Sequence, residues 1–429
     1  MSGGNAWTGV AVAAVTAGYA LVSKRITVTP VTAAMVFTGC GVLIGPAGID
    51  VLDLARNAGP VLVLAEAALA LVLFTDAMAV RGRDLHHGGF LPARLAAVAL
   101  PLMIGAGWLL AWPLLPGLSL WELALVATIL APTDAAVARA AISNPRLPLL
   151  VRNGLNVECG VNDGVVLPFF ILFLTALPGT AAAEQGLVGI FWRSLVLSAA
   201  MGLVIGRGGG WLLRRAGAAD WVGREGSQLT MLSAALAAYA AAVGIGGSGF
   251  IAAWTAGFAF AAHLRLGMLP GERNGDAYGG RPHEFAENLA SLLAAMTFLA
   301  FGAVLLGPAL AHLDWRVVLY ALLSLTAVRM VPVALALVGS GLRLPTVAYV
   351  GWFGPRGLAS LVLGLIAVEE HVPGAGVLGE VVAVTVGLSV LLHGASAVWL
   401  SERYGAWFER TVRRNPHLRE AGPAAVGSG

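Results

Sequence analysis

The chain has 429 residues, of which 58% are hydrophobic and only 11% are charged, and its formal net charge is +3. Soluble domains carry about 25% charged residues, so this composition excludes an ordinary soluble protein and predicts an integral membrane protein. The small net charge lies in loops and gives no indication of nucleic-acid binding. Both cysteines, Cys40 and Cys159, fall in apolar segments. Neither a disulfide framework nor a metal-binding cysteine pattern is therefore predicted.

Apolar stretches long enough to cross a bilayer as a helix recur from one end of the chain to the other. They predict an all-α polytopic membrane protein with about thirteen transmembrane helices. Hydropathy and helix-breaking residues place the spans at 7–23, 31–49, 58–77, 92–112, 119–140, 149–177, 186–206, 226–243, 248–264, 288–307, 315–338, 346–368 and 378–400.

The basic residues orient these spans. With the N-terminus outside, twenty-one basic residues fall on the internal side, and only Arg56 and Arg316 fall on the external side. Cytoplasmic loops carry the excess of lysine and arginine in membrane proteins. We therefore expect a multi-pass protein of the plasma (inner) membrane with an external N-terminus and a cytoplasmic C-terminus. No basic residue precedes the first apolar stretch, which argues against a cleaved secretory signal.

Two spans contain helix breakers near their centres. Span five contains Pro132, and span twelve contains the run Gly-Pro-Arg-Gly at 354–357. Because these spans are an odd number of spans apart, they cross the bilayer in opposite directions. Six spans, one linker span and six further spans would form an inverted repeat with two broken crossing helices. Interrupted helices at matching positions indicate the mid-membrane binding site of a transporter.

Span six carries ionisable side chains inside an apolar stretch, namely Glu158 and Asp163, with Asn162 between them. A charged side chain at the bilayer centre costs about 2.5–3.5 kcal/mol on insertion scales, and such residues usually have a function. We therefore expect Asp163 to bind a cation or a proton. Asp134 lies at the break of span five, where carbonyls freed from the helix, including that of Thr133, offer further oxygen ligands.

A structural role is the alternative, in which the acids pair with Arg329 and Arg356 and hold the helices together. For Glu158 this pairing is the favoured interpretation, because arginines are present to neutralise it. Three embedded acids and two embedded arginines leave one negative charge, which one monovalent cation or one proton would neutralise. His393 in the last span is expected to be a packing residue. Walker A, zincin and Gly-x-Ser-x-Gly motifs are absent from the sequence, so we expect neither an enzyme nor a bound cofactor.

At these residues the chain resembles the monovalent cation/proton antiporters, specifically the NhaP-like and Na⁺/H⁺ exchanger branch. The combination of a Glu-x-x-x-Asn-Asp-Gly core with Thr-Asp before it and Gly-x-Arg-Gly after it carries this resemblance. The matching stretches are LVLFTDA (71–77), ILAPTDAAVA (129–138), NVECGVNDGVVLP (156–168), AVRMVPV (327–333) and GWFGPRGLASL (351–361).

The resemblance implies a role for each matching residue around the cation. Asp163 is similar to the aspartate that binds the cation and the proton in turn. Thr133 resembles the residue that lends an oxygen at the crossing, and Asp134 resembles the acid beside it. The family often has serine where this chain has Cys159, and proline where it has Ala135. A thiol is a poorer ligand for a hard cation than a hydroxyl, so we expect Cys159 to affect ion preference.

The resemblance also implies supporting roles. Glu158 is similar to the glutamate that pairs with an arginine of span eleven, here Arg329, while Asn162 orients that pair. Arg356 matches the arginine of the second crossing. Asparagine before the aspartate is similar to the electroneutral branch of the family.

The implied fold is a thirteen-span inverted repeat that forms a homodimer. Residues 1–400 would be the transmembrane antiporter domain, with a moving core bundle from spans 4–6 and 11–13 and a dimerisation part from spans 1–3 and 7–10. Residues 401–429 would be a cytoplasmic tail. The expected function is electroneutral exchange of one Na⁺ (or Li⁺ or K⁺) for one H⁺ by alternating access. A K⁺-preferring antiporter is the alternative, followed by a cation channel and a membrane-embedded enzyme or sensor.

Overall fold

A computed structural model describes residues 3–26, 29–49, 58–80, 90–137, 142, 144–178, 187–265, 284–415 and 417–421. This described part of the chain is helical and contains no β-strand. The helices are α1 (Gly3–Ile26), α2 (Ala33–Ile44), α3 (Ala58–Ala79), α4 (Phe90–Leu114), α5 (Leu120–Ile129), α6 (Leu149–Thr175), α7 (Leu187–Ala218), α8 (Arg224–Gly244), α9 (Gly249–Arg265), α10 (Glu284–Ala311), α11 (Trp315–Ala336), α12a (Leu344–Trp352), α12b (Leu358–Glu369) and α13 (Ala375–Arg414).

The thirteen predicted spans each coincide with an apolar helix in the described ranges. Nine helices there are long and apolar enough to cross a membrane by length and composition, and four shorter apolar helices have 10–17 residues. The shorter helices are α2, α5, α9 and α12b, and two of them belong to the predicted broken spans. The prediction of an all-α polytopic membrane protein is thereby confirmed.

Both predicted breaks are present. Helix α5 ends at Ile129, and after an irregular stretch the helical conformation returns at 135–137. Pro132 lies in that stretch, where a proline removes a backbone donor and crowds the preceding turn. Residues 353–357 separate α12a from α12b in the same way. A further break in α11 at Thr326 (φ −111°, ψ −86°) was not predicted, because no proline or glycine adjoins that residue.

The described residues form two compact units. The first contains the described residues of 1–62, 82–162 and 295–429. It therefore includes both broken helices and the first half of α6. Its buried cluster joins aliphatic residues of α4 and α6 to Tyr349, Phe353 and their neighbours on α12a and α13.

The second unit contains most of α3, the part of α6 from Asp163 onward, α7 to α9 and the start of α10. Phe74 and Phe260 meet edge to face in its core, with ring centroids 5.8 Å apart. Helix α7 lies so close to α9 that a Cβ on Gly206 would overlap the carbonyl of Ala256. Close backbone approach at small residues is the usual way in which helices associate in lipid.

Helix α13 continues without interruption for 40 residues, across position 400, where the predicted tail begins. At 1.5 Å per residue it is about 60 Å long, twice the thickness of the hydrocarbon core, so its C-terminal part extends beyond the bilayer. The chain then folds back onto the start of α12a. There the Glu420 carboxylate accepts the Arg343 N–H at 2.7 Å and the Thr346 hydroxyl at 2.9 Å.

Candidate ion-binding site at the two broken helices

Asp134 joins the two helix breaks through its carboxylate. Its Oδ1 atom accepts the backbone N–H groups of Ala136 at 2.7 Å and Val137 at 3.3 Å. Its Oδ2 atom accepts the N–H of Leu358, the first residue of α12b, at 2.8 Å. A helix start leaves backbone donors without intrahelical partners, and a carboxylate satisfies them. One side chain therefore caps the helical segments that follow both breaks.

The contact between the breaks is reciprocal. The Asp134 N–H donates to the Pro355 carbonyl at 2.7 Å, so backbone and side chain of this residue both bind the second break. A Cβ on Gly357 would overlap the Asp134 carboxylate. Glycine at this position is therefore required for the close approach of the two crossing segments.

Arg356 satisfies the carbonyls that the first break frees. Its Nη1 atom donates to the carbonyl of Ala131 at 2.7 Å and to that of Pro132 at 3.1 Å. The Arg356 N–H also donates to the hydroxyl of Ser389 on α13 at 2.6 Å. Arg356 is fully buried and forms no salt bridge within the described ranges. Its positive charge is thus held by backbone dipoles rather than by a carboxylate.

Glu158 and Arg329 form a buried ion pair. Glu158 Oε1 lies 2.5 Å from Arg329 Nη1, and both side chains are inaccessible to solvent. The Asn162 amide donates to the same carboxylate oxygen at 3.3 Å. Arg329 Nη2 reaches the Val350 carbonyl of α12a at 3.4 Å. The pair therefore connects α6, α11 and the first half of the broken α12.

Thr133 brings the α5 break against α6. Its hydroxyl lies 3.5 Å from the Cys159 sulfur and 3.5 Å from the Asn162 amide nitrogen. The distance to the amide nitrogen is at the long end of hydrogen bonding, whereas the distance to the larger sulfur atom is an ordinary one. The structure thus brings together Thr133, Cys159 and Asn162 beside the Glu158 carboxylate.

Asp163 follows Asn162 directly in α6, and only 6% of its surface is exposed. It lies in the long apolar helix Leu149–Thr175, where a carboxylate is costly. The predicted binding of a cation by Asp163, Asp134 and Thr133 stays a prediction.

Two side chains that connect the broken helices to α13 were not predicted from the sequence. Ser389 holds the second break through the Arg356 N–H, and it also lies 3.2 Å from His393 Nδ1. Glu122 joins the starts of α5 and α13, since its carboxylate accepts the N–H groups of Ser119 and Gly374, each at 2.6 Å. The Ser-x-x-Glu spacing of 119–122 is a capping-box signal that the sequence does contain. Ser389 has no comparable signal.

Comparison with known families gives this arrangement its context. The family described as "Sodium/hydrogen exchanger, transmembrane" matches residues 11–403. The chain belongs to the sodium/hydrogen exchanger family. All the residues of the site lie within the matched range.

Two named antiporters are similar to most of this chain. The K(+)/H(+) antiporter NhaP2 of Shewanella sp. (strain MR-4) is 24% identical over 378 residues, which cover 84% of this chain and 61% of the relative. The probable Na(+)/H(+) antiporter C3A11.09 of Schizosaccharomyces pombe is 25% identical over 327 residues, covering 70% of this chain and 41% of the relative. The chain thus spans less than two thirds of the length of these relatives.

The fold of this sodium/hydrogen exchanger family member is similar to that of a solved antiporter. The sodium proton antiporter MjNhaP1 from Methanocaldococcus jannaschii aligns with a TM-score of 0.74 at 18% identity, covering 94% of this chain and 98% of MjNhaP1. At this identity the similarity establishes the fold alone.

Proposed function

We propose that the chain is a secondary antiporter that exchanges one Na⁺, Li⁺ or K⁺ for one H⁺ by alternating access. The observation that carries the proposal is the net charge of the five charged groups in the middle of spans five, six, eleven and twelve. Asp134, Glu158 and Asp163 contribute three negative charges, while Arg329 and Arg356 contribute two positive charges. One monovalent cation or one proton neutralises the remainder. Either species then allows the site to cross the bilayer without an uncompensated charge.

The burial of Asp163 in the long apolar helix α6 supports it as the exchanging carboxylate, because a carboxylate at membrane depth is costly and usually has a function. Glu158 is paired with Arg329, and Asp134 accepts three backbone N–H groups that fix the crossing segments. Both acids therefore make structural contacts that connect the helices of the site. Asp163 lies in the same apolar helix as Glu158, and its carboxylate is the group that alternates between cation and proton.

The hydroxyl and the backbone carbonyl of Thr133 are suited to supply neutral oxygen ligands. Hard monovalent cations favour oxygen, so a carboxylate with a few neutral oxygens forms a weak, exchangeable site. Cys159 lies 3.5 Å from the Thr133 hydroxyl, close enough to influence which ion fits.

Sodium and potassium are the two candidates for the preferred ion. Relatives are named as K(+)/H(+) antiporters and as a probable Na(+)/H(+) antiporter, so a K⁺-preferring exchanger is the second candidate. All these names describe transport, which favours an antiporter over an enzyme or sensor. A channel with the same site would conduct cations without proton counterflow.

Proteoliposomes with a preformed pH gradient test the function. Addition of Na⁺, Li⁺ or K⁺ in turn should dissipate the gradient, and the ion with the lowest half-saturating concentration is the preferred substrate. The exchange rate should be insensitive to a clamped membrane potential, because a one-for-one exchange moves no net charge. An electrogenic cycle would respond, since each net charge moved is worth about 2.3 kcal/mol per 100 mV. Cation flux that does not move protons would favour the channel instead.

We further propose that the protein lies in the plasma (inner) membrane with its N-terminus outside and its C-terminus in the cytoplasm. The distribution of twenty-one basic residues against two supports this orientation. A homodimer with a core bundle from spans 4–6 and 11–13 is part of the same proposal. Labelling of single cysteines introduced at Asp314 and Arg414 by an impermeant thiol reagent tests the orientation. Only the Asp314 site should react from outside.

A further inference from the structure

A cavity of about 840 Å³ lies between α12a and α13, and its lining residues are not those that make the contacts described at the two breaks. Its volume falls within the range of pockets that hold small molecules. The lining residues come from the second half of α11 and from one face each of α12a and α13. They are Met330, Pro345, Ala348, Tyr349, Trp352, Ser396, Trp399, Leu400, Arg403, Tyr404, Ala406, Trp407 and Arg410.

The cavity runs along α13 with a defined polarity. Trp352 Nε1 donates to Ser396 Oγ at 2.9 Å, and Thr346 Oγ1 lies 2.9 Å from Tyr404 OH, so α12a and α13 are antiparallel here. The lining of α13 extends from Ser396 to Arg410, which is about 21 Å at 1.5 Å per residue. That length exceeds the ~15 Å of one hydrocarbon leaflet.

One end of the cavity is apolar and the other is basic. Met330, Trp352 and Trp399 line the end nearer the middle of α13, and no Asp, Glu, Lys or Arg occurs between 381 and 401. Arg403 and Arg410 line the other end, where α13 leaves its apolar stretch. A phospholipid has the same order, with hydrocarbon chains toward the middle of the bilayer and a polar headgroup at the membrane surface.

The two arginines at this end have donors available for a ligand. The guanidinium of Arg403 lies over the Trp399 ring at 5.5 Å, and Arg410 uses only its Nε atom, bonded to the Ala406 carbonyl at 3.0 Å. Neither forms a salt bridge within the residues that the structure describes. By contrast, Arg146 binds both oxygens of Glu409 on the same stretch of α13, at 2.8 and 3.0 Å.

We propose that this cavity binds an anionic phospholipid. An acyl chain lies along Met330, Trp352 and Trp399, and the phosphate is bound by Arg403 and Arg410. Guanidinium groups recognise phosphate with several hydrogen bonds, and juxtamembrane basic residues attract anionic lipids. The bound lipid fastens α12a, the first half of a broken helix, to α13.

Lipid binding to the delipidated full chain in detergent, measured by native mass spectrometry, tests the proposal. Phosphatidylglycerol should bind in preference to phosphatidylcholine. Arg403→Gln/Arg410→Gln should weaken phosphatidylglycerol binding about 30-fold, which corresponds to about 1 kcal/mol for each basic side chain. Arg413→Gln/Arg414→Gln removes the same charge from the next turn of α13 and should have little effect. Ala348→Phe, at an exposed position of the lining, should block binding with both arginines retained.

Three results would overturn the proposal. Equal binding of both lipids to the wild-type protein would do so, and this measurement requires no variant to fold. Equal losses in the two double variants would show a general attraction to basic charge rather than a site. Displacement by millimolar inorganic phosphate, with no effect of Ala348→Phe, would indicate a free-anion site instead.

Discussion

Breaking the buried pair of Glu158 and Arg329 should reveal strong energetic coupling between α6 and α11. Glu158 Oε1 and Arg329 Nη1 are 2.5 Å apart and shielded from solvent. Removing one partner therefore leaves an uncompensated charge that costs about 3–5 kcal/mol. Glu158→Gln should lie at the lower end, because the new amide oxygen can still accept from Asn162. Arg329→Gln should lie at the upper end, because Arg329 also reaches the Val350 carbonyl.

The double variant Glu158→Gln/Arg329→Gln should cost no more than Arg329→Gln alone, since no buried charge is then left unpaired. The free energy of unfolding of all four proteins, from detergent-denaturant titration, gives the coupling energy of the cycle. The exposed pair of Arg224 and Glu284, at 3.1 Å, is the matched control and should couple by less than about 1 kcal/mol. Strictly additive losses at Glu158 and Arg329 would refute the reasoning.

Three other substitutions test single features of the site and its support. Asp134→Ala should lower the free energy of unfolding by about 2–4 kcal/mol because three N–H groups lose their acceptor. Asp314→Ala removes a cap that holds one exposed N–H and should cost less than about 1 kcal/mol; equal losses in the two would contradict the joining role. Cys159→Ser should lower the half-saturating sodium concentration in a transport titration at least about twofold, since a hydroxyl is the harder ligand, and an unchanged value would place the side chain away from the ion. Glu420→Ala should lower the melting temperature by freeing the start of α12a, whereas the exposed Glu402→Ala should not.

The spans and both breaks could be predicted because they depend on local properties of the chain. Hydropathy reports whether a segment can lie in lipid, and Pro132 and the Gly-Pro pair at 354–355 are local helix-breaking signals. The Glu158–Arg329 contact followed from the cost of an embedded charge together with the family resemblance. The break at Thr326 has no such local signal, and hydropathy treats α11 as one continuous span.

The contacts that connect the breaks could not be predicted in the same way. Asp134 and Leu358 are 224 positions apart, and nothing in either segment specifies that one caps the other. Charge pairing suggested an acid as the partner of Arg356, but its Nη1 atom donates to carbonyls that only the break of α5 makes available. The return of Glu420 to the start of α12a likewise depends on the length and direction of α13.

Exchange by purified Asp163→Asn in proteoliposomes tests the proposed mechanism most directly. The substitution keeps the shape of the side chain but removes the carboxylate that is proposed to hold the cation and the proton in turn. Sodium- or potassium-driven proton movement should fall to the level of protein-free liposomes, while the variant elutes as a folded protein. Asp314→Asn, at a surface cap, should exchange at the wild-type rate. A folded Asp163→Asn protein that exchanges cations for protons at a near wild-type rate would contradict the account.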